Sequence, residues 1–247
     1  MPHQIIDRQG IRRRPEGLPI MYQSWQRLLF MHWPLPPQVL RPFLPPSLEI
    51  DTFQGEAWIA ITPFTVKNAR PVLLPPIPWL SDFHEMNVRT YVHHQGVPGV
   101  WFFSLDAGSA LAVLGARLSY HLPYFRAQME VTEQQEGRVS YRSRRLGEGE
   151  APAQLEAVWE KGPVLGEAQE GSLEFFLAER YCLYSSKRGR LYRALIHHRP
   201  WRLQQATLAT LRSTMFEAQK LPTPAGAPLL HYSEQQDTAI WPPKRLL

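Results

Sequence analysis

Prolines punctuate this chain closely enough to rule out long helices across much of its first third. Proline lacks a backbone N–H and clashes with the turn before it, so it breaks helix interiors and interrupts central strands. The chain holds 24 prolines in 247 residues, and they cluster. "WPLPPQVLRPFLPPSL" (33–48) and "RPVLLPPIPW" (70–79) read as ordered connections rather than elements. Pro36 and Pro37 are placed to open a short helix through Leu40.

Between and beyond these connections the pattern is strand-like. "LEIDTFQGEAWIAITPF" reads as two strands around a turn at Phe53 to Gly55. "FHEMNVRTYV" (83–92) and "VWFFSLDA" read as further strands. A helix follows, with Asp106 or Ser109 as N-cap and Leu111, Leu114 and Leu118 at helical spacing. "HLPYF" ends it. A meander comes next: "RAQMEVTE", a turn at "QQEG", "RVSYRSRR", a turn at "GEGEAP", then "QLEAVWEK". Ser172 caps a second helix, "LEFFLAERY", and "RYCLYSSKRGRLYRALI" reads as a final hairpin turning at Lys187 to Gly189. The tail, 221–247, is turn-rich and expected to drape over the surface or stay partly flexible. The expected architecture is one α+β domain over residues 1–247, with its core at about 20–210 and mainly antiparallel sheet.

Composition narrows the function classes. At 44% hydrophobic residues the chain can bury a sizeable core. Net charge is +5, with 22 arginines against five lysines, but the cations are scattered and no nucleic-acid-binding motif appears. No apolar run approaches the roughly 18 residues of a membrane helix, and "MPHQIIDRQGIRRRPEG" lacks the apolar core of a secretory signal. With one cysteine, Cys182, no internal disulfide can form, and cytoplasmic residence is expected. Cys182 itself reads as a buried core residue.

Several chemistries have no motif here. There is no G-x-S-x-G elbow, no Walker or G-x-G-x-x-G loop and no H-E-x-x-H. The histidine doublets, His93–His94 and His197–His198, would point to opposite strand faces and could not share a metal. No cofactor and no metal are expected, and His32 with one of His197 or His198 reads as a buried hydrogen-bonder.

A polar constellation remains. In an extended strand, side chains alternate faces, so Glu85, Asn87, Arg89 and Tyr91 share one face and Met86, Val88, Thr90 and Val92 the other. Arg117 and Tyr120 stand three apart on the helix, and Tyr124 follows Pro123 just beyond it. A strand lining a cavity would point such a polar set inward; an ordinary half-buried strand would point it at water.

"LLFMHWPLP", "LEIDTFQGEAWIAITPF", "FHEMNVRTYV", "GVWFFSLDAGSALAV", "LPYFRAQM", "SLEFFLAERYCLY" and "HHRPW" together resemble the YqjF-like family of bacterial proteins, over about residues 20–210. That family more remotely resembles acetoacetate decarboxylase. The resemblance implies a strongly curved antiparallel sheet round a central cavity, with a few short helices outside. In acetoacetate decarboxylase a Schiff-base lysine follows a proline in a Gly-x-Pro-Lys-Lys run. The matching stretch here is "GARLSYHLPYFRA", with Tyr124 and Phe125 where the lysines would stand. None of Lys67, Lys161, Lys187, Lys220 and Lys244 falls in it, and tyrosine cannot form an imine, so the Schiff-base route is not expected. Glu85 matches a cavity glutamate of the decarboxylases.

The expectation is a cavity for a small organic acid or carbonyl compound. Glu85 would be a general acid or base, with Tyr124 a catalytic hydrogen-bond donor. Asn87, Arg89, Tyr91, Arg117 and Tyr120 would bind the ligand, with Arg27 and Arg180 as further candidates for the anion. Trp58, Trp101 and Phe103 would form apolar walls. A non-catalytic carrier or sensor using the same cavity stays open, as does a buried network that only fixes the fold. A homodimer would cover apolar sheet edges.

Overall fold

The computed structural model describes residues 5–77, 81–134, 137–147 and 152–247. Thirteen strands among these residues join one sheet. In chain order the long ones are β1 (Met21–Leu35), β3 (Ala57–Pro71), β4 (Phe83–His94), β5 (Val97–Ala107), β6 (Tyr124–Glu133), β7 (Arg138–Arg145), β8 (Gln154–Glu167), β9 (Cys182–Lys187), β10 (Arg190–His198), β11 (Arg202–Ser213) and β12 (Leu229–Ile240). Two short strands, β2 (Glu49–Ile50) and β13 (Lys244–Arg245), sit at the edges. The helices are α1 (Pro37–Leu40), α2 (Ala110–Ser119), α3 (Leu173–Ala178) and α4 (Met215–Ala218). Among the described residues no helix is long and apolar enough to cross a membrane.

The strand pairings close two rings that share five strands. The smaller runs β5–β4–β3–β1–β12–β10–β9 and returns to β5; the larger shares β5 to β12 and returns through β11, β8, β7 and β6. Both closures depend on strands that change partner along their length. One edge of β5 pairs in parallel with β9 at Val100 and Trp101, then with β6 from Leu105 to Ala107. β12 likewise meets β10 at Ile240 and β11 at Tyr232. At the β5–β9 crossing a Cβ on Gly99 would lie 2.8 Å from the Cys182 carbonyl, so only glycine allows this approach.

The larger ring holds the main apolar core, with Leu29, Ile59, Met86, Val88, Tyr141 and Trp159 all fully buried. Period-two burial along β7 and β8 supplies it: Val139, Tyr141, Leu155, Ala157 and Trp159 point in while their neighbours are exposed or half-buried. The smaller ring holds a second cluster around Tyr91, Leu105, Phe176 and Ile196, and it encloses the cavity described below. Each fully buried aliphatic or aromatic side chain contributes roughly 1.5–3 kcal/mol.

Strand placement follows the sequence reading closely in the middle of the chain. Helix α2 starts from Ser109, whose Oγ accepts from the Ala112 N–H, and α3 from Ser172, whose Oγ accepts from the Phe175 N–H. The meander is β6–β7–β8, its expected turns at "QQEG" and "GEGEAP" falling partly outside the described residues. Cys182 is a free, fully buried thiol.

Three readings need correction. The 221–247 tail does not drape over the surface: β12 lies between β1 on one side and β10 and β11 on the other. The hairpin of β9 and β10 is therefore not the final one. Prolines did not exclude strand at 33–35: β1 continues to Leu35, where Pro34 lies past the last β1–β12 pair at His32 and is flanked by β3 alone, through Trp58. The two strands around the Phe53 turn are present as β2 and β3, with β2 paired to β4 at Val92 and His93.

Candidate functional site

"FHEMNVRTYV" folds as β4, and its alternation separates two interiors. Met86 and Val88 enter the apolar core of the larger ring. Glu85, Asn87 and Arg89 line a cavity of about 490 Å³ in the smaller ring, within the size range of small-molecule sites. Glu85 and Asn87 are 6% and 4% exposed, so the polar face of the strand does not meet bulk water.

Around these side chains the ring supplies Gln23 and Trp25 from β1, Thr62 and Phe64 from β3, Phe102 and Leu105 from β5, and Ile196 and His198 from β10. Arg180 enters from the turn after α3, and Trp201 from the turn after β10. The outer end is lined by one face of α2 and by the segment 71–77.

Glu85 is the chemically distinctive group. Burial raises its carboxyl pKa to about 8; the hydrogen bond from Tyr124 opposes the rise and the charge of Asp106 adds to it. The Tyr124 hydroxyl donates to Glu85 Oε2 at 3.0 Å, and burial pushes its own pKa well up. Tyr141 donates to the Glu85 carbonyl oxygen at 2.8 Å and fixes the backbone. Asp106 does not pair with Glu85; it takes a two-point contact from Arg145 at 2.7 and 2.9 Å.

The positive end is built by Arg180 and Arg89. Asp51 holds Arg180 at 2.6 Å and is shared with Arg8. Burial pulls the Arg180 guanidinium pKa down and Asp51 pushes it back. The guanidinium lies 4.7 Å over the Tyr91 ring and 4.4 Å over Phe176. His198 Nε2 is 3.3 Å from the Arg180 carbonyl oxygen, and burial lowers its pKa to about 4, leaving it neutral.

Five buried polar atoms on cavity-lining residues have no hydrogen-bond partner among the described residues: Thr62 Oγ1, Asn87 Oδ1, Arg89 Nε, Arg180 Nη2 and Trp201 Nε1. Folded chains pair the large majority of such groups. The residues that carry them gather round one cavity, with the atoms themselves shielded from it.

The structure gathers most of the expected site residues. Glu85, Asn87, Arg89, Tyr120 and Tyr124 line the cavity. Tyr120 presents its ring, because its hydroxyl donates to the Trp241 carbonyl oxygen at 3.3 Å. Tyr91 is on the expected strand face but lies behind the arginines. Its hydroxyl is 2.6 Å from His32 Nε2 and accepts from Arg89 Nη2 at 3.4 Å. Arg117 is not in this cavity. It is exposed, donates to the Tyr124 carbonyl oxygen and lines a separate outer cleft with His121 and Lys187. Arg27 pairs on the surface with Glu133 at 2.6 Å. The expected walls are also reassigned: Phe102 faces the cavity, while Trp101 lines the outer cleft, Phe103 packs on the larger core and Trp58 is buried beside Tyr91.

Across residues 22–237 the sequence matches the family DUF2071, described as an uncharacterized conserved protein. The chain belongs to this family. The uncharacterized protein YqjF of Bacillus subtilis (strain 168) is 43% identical over 228 residues, covering 92% of this chain and 93% of that protein. Among solved structures, the enduracididine biosynthesis enzyme MppR complexed with pyruvate is similar at a TM-score of 0.65 and 12% identity, covering 94% of this chain and 91% of that one. Acetoacetate decarboxylase from Legionella pneumophila matches at a TM-score of 0.60 and 12% identity, covering 95% and 92%. The fold is thus acetoacetate decarboxylase-like.

Proposed function

We propose that the cavity binds a small organic acid or carbonyl compound and that Glu85 moves a proton on it. The observation that carries this reading is Glu85 itself, a buried carboxyl that is protonated at neutral pH and faces the same cavity as Arg89 and Arg180. A group with a pKa near the working pH is suited to general acid–base catalysis. Tyr124 orients it through Oε2, leaving the other carboxyl oxygen for the ligand. The guanidinium groups of Arg180 and Arg89 are the cations for a carboxylate, with Thr62 and Asn87 as neutral polar side chains of the same lining. Proton transfer next to a carbonyl, hydration or lyase chemistry fits this set.

The reading excludes imine formation. No cavity-lining residue among those described is a lysine. Lys67 is bound to Asp82 at 2.8 Å, and Lys161 to Glu133 and Glu234. That MppR is complexed with pyruvate supports 2-oxo acids as the first probes.

The test follows deuterium exchange by proton NMR at the carbon beside the carbonyl of a panel of 2-oxo acids. The wild-type chain is expected to accelerate exchange of at least one, and Glu85→Gln to lose about 100-fold or more. Binding without exchange anywhere in the panel would turn the assignment to a carrier or sensor. No binding of any acid or carbonyl compound would overturn it altogether.

A further inference from the structure

The cavity changes character along its length. Its inner end brings together the buried polar side chains Thr62, Glu85, Asn87, Arg180 and His198, all less than a tenth exposed, among buried apolar ones such as Leu105 and Trp201. Its exposed lining is largely apolar: Leu74, Ile77 and Leu111 are 57%, 42% and 62% exposed. Arg70 and Ser119 are polar residues near that rim. Large aliphatic side chains grouped in water at the mouth of a site call for an apolar occupant, because scattered surface leucines are ordinary but a contiguous set is not.

Size agrees with polarity. A volume of about 490 Å³ corresponds to roughly 16 water molecules at liquid density. An acid as short as pyruvate would satisfy the buried end and leave most of the space unfilled. The helix roofing the outer half also keeps that space open. The face of α2 turned to the cavity carries Ala112, Gly115 and Ala116, and a Cβ placed on Gly115 meets nothing within 4 Å.

We infer that the ligand is an amphipathic acid, its carboxylate held by Arg180 and Arg89 and its apolar chain lying under α2 and emerging between Leu74, Ile77 and Leu111. This inference rests on the acid-binding reading above and adds the chain.

The test is calorimetric titration of the full chain with acetate, butyrate, hexanoate, octanoate and decanoate, each below its micelle concentration, and with octanol. Affinity is expected to rise about three- to fourfold per added methylene, the factor matching ~0.8 kcal/mol per buried CH₂, and then to level off. Gly115→Leu fills the outer half at a position where a side chain meets no clash, so it is expected to move that plateau to shorter chains. Ala116→Leu gives the same readout independently. Arg89→Gln is expected to weaken octanoate at least tenfold, and octanol to bind more weakly than octanoate. Equal affinity for all chain lengths overturns the inference while leaving acid binding intact. A chain-length gain that both α2 variants leave untouched places the chain elsewhere and also overturns it. Failure of every acid to bind removes the acid-binding reading itself.

Discussion

Glu85 is held neutral by its surroundings, and that has a thermodynamic consequence. Its carboxyl titrates near 8 when folded and near its ordinary 4.5 when unfolded. Between those values the folded state keeps a proton that the unfolded chain has released, so stability falls as pH rises through that window, by up to about 1.4 kcal/mol per pH unit. Below about 4.5 both states are protonated and the effect vanishes. Glutamine cannot ionise, so Glu85→Gln is expected to flatten the slope and to exceed the wild type in melting temperature at pH 9 but not at pH 4. Calorimetric melts across that range check this; parallel curves for the two proteins would mean that Glu85 is solvated or paired. Which residues line the cavity was only partly legible in the sequence. Glu85, Asn87 and Arg89 follow from strand alternation alone. Arg180 carries no local mark of its role, since its carboxylate partner Asp51 is 129 positions away. Arg117 looked equivalent from its place near Tyr124, yet it reaches that residue from outside the cavity.

Helix α2 shows how local pattern and tertiary placement can part. Leu111, Leu114 and Leu118 have the spacing of a buried stripe, but each is more than half exposed. The face that covers the cavity is mostly the small one, Ala112, Gly115 and Ala116, with Leu111 at its edge. Periodicity identifies a helix; it does not say which face the rest of the chain has room to cover. Only Val113 of this helix is buried, so end-capping carries an unusual share of its stability. Ser109→Ala is expected to cost about 1 kcal/mol and to raise amide exchange selectively in residues 110–119. Uniform loss of protection across the sheet would contradict this. On β5 the same parity problem appears in another form. Against β4, Val88 pairs with Ser104 and Arg89 with Phe102, so Phe103 is an extra residue in β5 that brings Phe102, rather than Trp101 or Phe103, to the cavity, and nothing in "VWFFSL" announces that bulge.

The molecule as a whole is a sheet closed twice, and the closures are made by distant segments. The turn-rich composition of 221–247 suggested a peripheral tail, because the prolines and glycine that dominate it sit before Leu229 and after Ile240. The strand between them is flanked on both sides, and pairs with β1 from Met21↔Ile240 to His32↔Leu229. Removing residues from 229 onward is therefore expected to abolish folding, with loss of cooperative thermal unfolding and gain of dye-binding apolar surface. A truncated chain that melts cooperatively would show that the rings close without β12.

The pairing of β1 with β12 also sets an order in time. In a nascent chain β1 is made well before its neighbour β12, which is complete only at residue 240. Until then one edge of β1 has no partner within its own chain, a hazard that grows with the delay. Closure must wait on contacts of very high sequence separation, which slows folding. Neither interior, the apolar core or the cavity, can therefore be sealed from water until β12 has been made.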